Sequence, residues 1–352
     1  MHDVASYRRI LLLTGDRLGV FSSKTAAVLL RYRSADIVGI VDSAHAGKRL
    51  SEIIPRVADK PILADIPAAA KLDPDAVFVG IHPTGGALPA ELRAPLRAAL
   101  ERGIDVVSGL HTQLSQDEEL AGIAGKTGAR LVDLRCPPAE RHTASGRAME
   151  TRCRRILTVG SDCNVGKMVA ALELTREADK RGLDARFIAT GQTGMMVCGA
   201  GVAIDAVVSD FAAGAVEQLV LDASGADVCV VEGQGAIGHA GFSGVTLSIL
   251  HGACPDAMIL VHHAGRTHNR SSPHAPLPPL RALWSAYEQT AALLHPARIV
   301  GVALNRHEAR EADVREETAW IEHEFGVPVR DPLEDGCEVL LSAALESQSS
   351  DS

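Results

Sequence analysis

The chain has 352 residues, of which 46% are hydrophobic and only 3% aromatic, and its formal net charge is −9. That length suits two domains, and cores built from Ala, Val, Leu and Ile favour parallel sheets covered by helices. The negative charge argues against nucleic acid and anionic membranes as partners. No apolar run is long enough for a transmembrane helix or a signal peptide, and seven scattered cysteines without C-x-x-C pairs indicate a reduced, cytoplasmic setting.

The N-terminal part alternates strands and helices. A strand over 9–13, a helix over 24–32 and a strand over 37–41 form a βαβ opening. Because no G-x-G-x-x-G motif accompanies it, we predict no dinucleotide site here. Asp42 follows the second strand and is interpreted as a strand-end carboxylate, not as the ribose-binding acid of such a site.

Two histidines follow later strands of the same predicted sheet. Its further elements are strands over 76–80 and 104–107 and a helix over 92–102, and residues 129–134 close the domain. His82 and His111 come after two of these strands, at the edge where open α/β sheets bind ligands. Each alone is interpreted as a solvated loop histidine, but their shared edge favours one of them facing a ligand.

Composition divides the chain into domains. Pro, Ser, Gly and charged residues replace the periodic pattern after the first domain, and Ser and Asp dominate the C-terminus. We therefore predict an N-terminal domain over residues 1–136, a linker over 137–155, a C-terminal domain over 156–345 and a disordered tail over 346–352.

The second domain opens on the stretch TVGSDCNVGKM, residues 158–168. It lies between a short buried strand and a segment with helical periodicity, so backbone N–H groups and the positive end of a helix converge on one spot that suits a phosphate. A glycine-rich turn of no special role is disfavoured, because strand, loop, Gly-Lys and helix all line up. The predicted phosphate-binding residues are Gly160, Ser161, Asp162, Cys163, Asn164, Val165, Gly166 and Lys167.

This loop departs from the usual P-loop pattern in two ways. One more residue separates its glycines, a spacing that resembles the GTDTEVGKT loop of dethiobiotin synthetase, and Met168 replaces the Ser or Thr that offers a hydroxyl to Mg²⁺. A thioether is a poor ligand for a hard cation. We therefore expect a phosphate cradle rather than a Mg²⁺-dependent nucleotide hydrolase.

Further strand ends carry polar residues. A strand over 185–190 leads into a glycine-rich turn, and a strand over 228–231 ends at Glu232, where P-loop folds place a metal-holding or basic carboxylate. Without a hydroxyl at position 168 the base role gains weight, although Glu232 could instead cap the next helix. Further strands are predicted over 257–261, 299–304 and 327–329, with a helix over 280–294.

Four histidines lie in the segment 262–274: His262, His263, His268 and His274. Their spacing matches no zinc-ligand pattern and no thiolate clusters with them, so no metal site is predicted. A mobile cationic substrate loop fits better, with Arg266 and Arg270 as forks for a carboxylate or a phosphate.

The motifs together resemble a known family. In chain order they are SGLHTQL, GSDCNVGKM, ATGQTGMM, AIDAVVSDF, VVEGQG, LHGACPDA and PHAPLPPL. They are similar to those of a bacterial and archaeal P-loop-like family that includes the D-glutamate N-acetyltransferases of the DgcN type. The resemblance covers about residues 9–335 and implies an α/β fold with a Rossmann-like N-terminal parallel sheet and a P-loop-NTPase-like C-terminal parallel sheet, each flanked by helices. The methionine after the loop lysine is typical of this family.

The resemblance implies transfer of an acetyl group from acetyl-CoA to the amino group of D-glutamate. That chemistry needs a base, N–H donors facing the thioester oxygen and a cradle for the coenzyme phosphates. We predict Glu232 as the base, with Asp210 and His262 as alternatives, and Arg266 as the partner of a glutamate carboxylate. The remaining predicted substrate-binding residues are Gln192, Thr193 and Gln234.

Two other functions stay open at this point. The loop spacing is compatible with an ATP-dependent ligase or kinase of the dethiobiotin synthetase type, against which Met168 counts. The second open function is a non-catalytic sensor of a nucleotide or of coenzyme A. The many polar residues at strand ends disfavour it. In all cases we expect no metal and a homo-oligomer, with a dimer favoured.

Overall fold

The computed structural model describes residues 4–83, 85–270 and 272–347. The predicted tail over 346–352 falls mostly outside these residues: the last helix ends at Glu346, Ser347 follows it, and 348–352 are not described. The strands and helices up to residue 136 are β1 (Ile10–Leu13), α1 (Lys24–Tyr32), β2 (Ile37–Val41), β3 (Ile62–Leu63), α2 (Ile66–Ala69), β4 (Ala76–Val79), α3 (Ala90–Leu100), β5 (Asp105–Ser108), α4 (Glu118–Thr127) and β6 (Leu131–Asp133).

The rest of the chain supplies eight strands and seven helices among the described residues. They are β7 (Arg154–Gly160), α5 (Lys167–Lys180), β8 (Ala185–Ile188), α6 (Gln192–Cys198), α7 (Ser209–Asp222), β9 (Val228–Val231), α8 (Ser243–Ala253), β10 (Ala257–His263), β11 (His268–Asn269), β12 (Ser272–Pro276), α9 (Leu280–Ala291), β13 (Arg298–Asn305), α10 (Glu311–Phe325), β14 (Val329–Arg330) and α11 (Glu338–Glu346).

Contacts divide the chain into two compact units. The first holds residues 1–136 and 192–206, and the second holds 137–191 and 207–352. Within the described residues no helix combines the length and the apolar character that crossing a lipid bilayer requires.

The first unit is a six-stranded parallel sheet in the order β3-β2-β1-β4-β5-β6. This is the strand order of Rossmann folds, in which the direction of winding reverses between the first and fourth strands. Every residue of β1, β4 and β5 is buried, as the apolar runs predict for strands covered on both faces. The predicted Rossmann-like parallel α/β architecture is confirmed.

Local sequence explains where the helices of this unit lie. The Asp117 carboxylate accepts the backbone N–H of Leu120 at the start of α4, and Gly128 ends the helix with a φ of 80°. Helix α1 packs close to β4 because Gly80 has no side chain, since a Cβ there would stand 2.9 Å from that of Ala26.

The second unit is also a six-stranded parallel sheet, in the order β14-β13-β10-β7-β9-β8. The central strand β7 lies between β10 and β9, with Val261 opposite Gly160 and Val231 opposite Leu157. These registers set the carboxyl ends of β7, β9 and β10 side by side. The predicted P-loop-like parallel sheet is confirmed, and the residues that end these three strands form the edge described below.

Two segments differ from the predicted layout. Residues 192–206, predicted within the C-terminal domain, belong to the first unit. Three contacts hold them there: Thr193 Oγ1 lies 2.9 Å from Thr25 Oγ1, Arg33 Nη1 donates to the carbonyl of Met196, and Arg135 Nη2 donates to Gln192 Oε1. Contacts between residues so distant in sequence leave no periodic trace, so the sequence does not reveal them.

The segment 137–155, predicted as a linker, is part of the second unit. The backbone N–H groups of Ser145 and Arg147 donate to the carboxylate of Glu217 on α7, a residue only 2% exposed. The strand β7 already begins at Arg154. A polar, irregular segment can thus be fixed by one buried carboxylate without regular structure of its own.

Candidate functional site

The loop between β7 and α5 has the backbone that its glycines predict. Asn164 and Gly166 have φ values of 52° and 113°, a region that favours glycine and, among other residues, asparagine. Helix α5 begins at Lys167, directly after Gly166. Asn305 at the end of β13 donates from Nδ2 to the carbonyl of Val165 at 3.0 Å. The loop is therefore held in one shape at a helix N-terminus, where backbone N–H groups attract anions.

Tyr287 on α9 fixes the first residue of the loop. Its hydroxyl donates to the carbonyl of Gly160 at 2.8 Å and accepts the N–H of Ile237 at 2.9 Å. The side chain is fully buried, and burial raises the pKa of the Tyr287 hydroxyl well above its usual value. Tyr287 thus joins the loop to the segment that follows β9.

Lys167 lies against the loop itself. Its Nζ donates to the carbonyl of Asp162 at 2.8 Å, and the residue is 7% exposed. A Cβ at position 160 would stand 2.7 Å from this nitrogen, so Gly160 provides the space that the lysine occupies. The ammonium group is thereby positioned over the backbone of the predicted phosphate cradle.

Asp162 is a fully buried carboxylate inside the loop. Its Oδ2 accepts Arg266 Nη1 at 3.1 Å and the N–H of Arg270 at 2.9 Å, and Oδ1 accepts the N–H of Cys163 at 2.7 Å. Arg266 Nη1 also donates to the carbonyl of Cys163 at 2.8 Å. Burial lowers the pKa of Arg266, while the charge of Asp162 opposes that shift. The predicted cationic segment after β10 therefore holds the loop, in addition to any contact it makes with substrate.

Ser161, His262 and Glu317 form a chain of polar contacts beside the loop. The sheet register sets Ser161 next to the end of β10, and its Oγ lies 2.7 Å from His262 Nδ1. Glu317 Oε1 lies 3.6 Å from the other ring nitrogen, which favours the tautomer with the proton on Nε2, so Ser161 donates to Nδ1. His262 is 5% exposed and has partners on both nitrogens.

Glu232 stands at the end of β9, next to the loop strand. Its Oε2 accepts the backbone N–H groups of Thr190 and Gly191, each at 3.2 Å, and Gln234 Nε2 donates to the carbonyl of Thr190. Gly233 lets this turn approach β7, because its N–H donates to Thr158 Oγ1 and a Cβ there would overlap the carbonyl oxygen of Thr158. The structure thus brings Glu232 and Gln234 together at the same strand edge as the loop.

Three other predicted site residues lie elsewhere. Asp210 is exposed in the first turn of α7, where a carboxylate stabilises the positive end of a helix. Gln192 and Thr193 are buried in the first unit, where they contact Arg135 and Thr25. The start of α7 is thus a structural reason for Asp210, and contacts within the first unit are a structural reason for Gln192 and Thr193. The catalytic role of Asp210 and the substrate-binding roles of Gln192 and Thr193 stay predictions.

His239 is a further residue beside the loop, and the sequence does not indicate it. It is 2% exposed, and one ligand atom each from His239, Asp162 and Cys163 lie within 4.8 Å of one another. Within residues 4–83, 85–270 and 272–347 this is the one group of three or more potential metal-ligating side chains, and it contains none of the four histidines of segment 262–274. The glycine-rich segment around His239 has no periodicity that could have indicated its position.

The strand edge of the first unit is built differently. Asp42, 1% exposed, accepts Thr14 Oγ1, the N–H of Leu18 and two nitrogens of His45. It also begins a short 3-10 helix, which agrees with its interpretation as a strand-end carboxylate. The predicted shared edge of His82 and His111 is confirmed, with ring centroids 6.1 Å apart.

Comparison with known proteins identifies relatives along nearly the whole chain. A family described as "Domain of unknown function (DUF1611_N) Rossmann-like domain" matches residues 43–137, and "Domain of unknown function (DUF1611_C) P-loop domain" matches residues 142–341. The crystal structure of a DUF1611 family protein from Anabaena variabilis is 40% identical and has a TM-score of 0.91, covering 96% of this chain and 99% of that one.

Two curated relatives carry a functional name. "D-glutamate N-acetyltransferase" of a Pseudoalteromonas species is 34% identical over 335 residues, covering 94% of this chain and 97% of the relative. The protein of the same name from Tritonibacter scottomollicae is 34% identical over 334 residues, covering 95% and 97%. With both family domains matched in order and nearly the full length shared with these relatives, the chain belongs to the DUF1611 family.

Proposed function

We propose that this protein is a D-glutamate N-acetyltransferase that uses acetyl-CoA as acetyl donor. The observation that carries the proposal is the 34% identity to two proteins of that name over 97% of their length. The geometry of the second unit supports it, because a phosphate-type loop and a carboxylate stand on neighbouring strands of one sheet. The proposed role in the cell is the breakdown of D-amino acids.

The reaction joins an amine and a thioester. The ammonium group of D-glutamate loses a proton, and the resulting amine attacks the carbonyl carbon of the acetyl group. The C–S bond breaks and the nitrogen gives up a second proton. The thiolate takes up one proton, so one proton is released to solvent. Acetyl-CoA and D-glutamate thus become N-acetyl-D-glutamate and free coenzyme A, with no oxidant, reductant or nucleotide consumed. The protein must supply a base, donors for the developing oxyanion and sites for both substrates.

Glu232 is the proposed base. It lies at the carboxyl end of β9, and two backbone N–H groups fix one carboxylate oxygen, Oε2, so the direction of the other is set. His262 is less suited, because its Nδ1 accepts the hydroxyl of Ser161 and the other ring nitrogen, in that tautomer, already carries the proton. Asp210 is less suited because it sits exposed in the first turn of α7, whose positive end is a sufficient reason for a carboxylate there.

The loop from Gly160 to Lys167 is the proposed site for the coenzyme phosphates. It offers backbone N–H groups at the start of α5 and the Lys167 ammonium. Met168 provides no hydroxyl for Mg²⁺, which disfavours metal-dependent hydrolysis of ATP. Arg266, which anchors the loop through Asp162, is also the proposed partner of a substrate carboxylate, with Gln234 as a further proposed substrate-binding residue.

One assay separates this proposal from its two alternatives. The full chain is incubated with acetyl-CoA and either D- or L-glutamate while free thiol is measured, and in parallel with Mg-ATP while phosphate is measured. We expect thiol release with D-glutamate and little with L-glutamate. Product formed only with ATP would support a ligase or kinase, and no turnover under either condition would support a coenzyme A or nucleotide sensor.

A further inference from the structure

The side chain of His239 carries a buried polar atom that the protein does not satisfy. Its Nε2 has no hydrogen-bond partner among the described residues, although the residue is only 2% exposed. A buried donor or acceptor without a partner costs on the order of the desolvation of that group, so such atoms are rare in native proteins. One of the two ring nitrogens of His239 lies within 4.8 Å of a carboxylate oxygen of Asp162 and of the Cys163 sulfur, so the ring is next to the loop.

Neighbouring groups determine which ring nitrogen carries the proton. The backbone N–H of Gly241 donates to His239 Nδ1 at 3.0 Å, so Nδ1 uses its lone pair as an acceptor and the ring proton is on Nε2. The ring is held in this orientation by Phe242, whose centroid lies 4.7 Å away in a stacked arrangement. The unsatisfied atom is therefore a donor, and it needs an acceptor.

A metal ion does not fit this cluster. One ring nitrogen would have to offer a lone pair, whereas the lone pair of Nδ1 already accepts the N–H of Gly241 and Nε2 carries the proton. The Asp162 carboxylate already accepts three N–H groups, including one from the Arg266 guanidinium. Lys167 Nζ donates to the carbonyl of Asp162, so two cationic side chains already lie beside the position that a cation would take.

We propose that His239 donates a hydrogen bond from Nε2 to a phosphoryl oxygen of the ligand held by the loop. His239 then extends the cradle of backbone N–H groups and Lys167 with a neutral donor from the segment after β9. The inference rests on the proposed function in one respect, namely that the bound group is a phosphate ester. A donor at Nε2 favours ligands that place an acceptor oxygen next to His239.

Two substitutions separate the two nitrogens of the ring. His239→Gln places an amide N–H near the position of Nε2 but loses the acceptor for Gly241, whereas His239→Asn keeps an acceptor near Nδ1 and loses the donor. The probes are inorganic pyrophosphate, ADP and coenzyme A, titrated into the full chain by calorimetry without Mg²⁺. The exposed His142→Asn variant is the matched control.

We expect His239→Gln to bind pyrophosphate and coenzyme A within about 3-fold of wild type, and His239→Asn to bind them about 10-fold or more weakly, since a bond to a charged acceptor is lost. Equal binding by His239→Asn and wild type would overturn the inference, and so would weaker binding by His239→Gln than by His239→Asn. Comparison of ADP with coenzyme A shows which phosphate ester the loop prefers.

Two further measurements cover variants that fold poorly. In the wild type, ¹⁵N correlation spectra of the imidazole should show the Nε2–H tautomer, with its proton resonance shifted by pyrophosphate; an Nδ1–H tautomer would contradict the inference. Zinc binding by equilibrium dialysis should not depend on His239, and stoichiometric zinc that both variants lose would overturn it. Phosphate binding without acetyl transfer would refute the proposed function and leave this inference standing.

Discussion

The strand edges of the two units differ in how they treat buried polar groups. In the first unit Asp42 has four donors, and Arg135, 4% exposed, donates to the Gly109 carbonyl, to Asp205 and to Gln192. In the second unit three buried side-chain atoms of the described residues have no hydrogen-bond partner: His239 Nε2, Asn269 Oδ1 and Arg306 Nε, the last in an ion pair with Asp331.

This difference supports the proposed ligand site at the strand edge of the second unit. A polar group that is satisfied by the protein contributes to the fold, whereas one that is buried and unsatisfied favours a partner from outside. His239 is close to the loop, and Asn269 precedes Arg270, whose N–H holds Asp162. The first unit has the strand order of a nucleotide-binding sheet, but Asp42 and Arg135, which follow two of its strands, have hydrogen-bond partners within that unit.

The largest expected effect is on catalysis at the second edge. Replacing the proposed base, Glu232→Gln, should lower kcat/KM for acetyl transfer to D-glutamate about 10³-fold, the scale of a lost general base. Asp210→Asn, which alters the alternative carboxylate, should leave the rate within about 3-fold of wild type. Steady-state thiol release measures both, and a Glu232→Gln enzyme with normal activity would remove Glu232 from the base role.

The second prediction concerns the close packing of the turn after β9 against strand β7. Gly233→Ala should reduce the free energy of unfolding by on the order of 3 kcal/mol, because the new Cβ meets the Thr158 carbonyl and neither backbone can move freely. Gly225→Ala is the matched control, since nothing lies within 4 Å of its Cβ position. Chemical denaturation measures both, and equal stability of the two variants would contradict this packing.

The third prediction compares an ion pair in each unit. Arg266→Met should cost about 3 kcal/mol of unfolding free energy, because the buried Asp162 carboxylate loses its cation. Arg93→Met removes the exposed pairs of Arg93 with Asp117 and Glu119 in the first unit, and it should change stability far less. Both free energies of unfolding are measured by chemical denaturation. A loss for Arg266→Met as small as the loss for Arg93→Met would mean that Arg266 does not anchor the loop.

The smallest expected effect concerns two buried tyrosines. Tyr287→Phe should cost about 1 to 2 kcal/mol at neutral pH, because two hydrogen bonds to backbone groups are lost. Burial raises the pKa of Tyr287, so above the usual tyrosine value of about 10 the unfolded chain loses a proton that the folded chain keeps. Stability therefore falls as the pH rises above about 10.

In Tyr287→Phe, the free energy of unfolding should decrease less between about pH 10 and 11 than it does in the wild type, because the variant has no hydroxyl to ionise at position 287. Tyr7→Phe is the counterpart in the first unit, where burial and a hydrogen bond to Asp105 raise the pKa of Tyr7 in the same direction. Unfolding free energies measured from pH 8 to 11 test both. If Tyr287→Phe followed the same pH curve as wild type, the tyrosine would not be held neutral by the folded chain.

Much of the fold follows from local sequence. Helix α1 and strands β2 and β9 lie where the pattern predicts them, because long apolar runs bounded by turn residues leave few alternatives. Helix α6 was missed, since the glycine-rich GQTGMM motif indicates a loop, and its place in the first unit depends on Thr25 and Arg135, far away in sequence. Short-range patterns cannot encode such contacts.

The candidate site shows the same limit. The loop and Glu232 follow from strand ends and motif spacing, and the structure brings both to one edge. His239 and Tyr287 reach the loop from later segments through tertiary packing alone, and Glu317 reaches His262 beside the loop in the same way. Nothing in the spacing of single histidines, carboxylates or tyrosines indicates that they approach it.

The affinity of coenzyme A for the wild type and for Lys167→Met, measured by calorimetry without Mg²⁺, tests most directly whether the loop holds the phosphates of acetyl-CoA. Methionine keeps the apolar length of the lysine and removes the ammonium that lies over the loop. We predict that wild type binds coenzyme A in the absence of metal and that Lys167→Met binds it about 10-fold or more weakly. Equal affinity of the two proteins for coenzyme A would contradict the claim that the loop holds the coenzyme phosphates. The same claim would be contradicted if the protein bound ATP, and not coenzyme A, and only when Mg²⁺ is present.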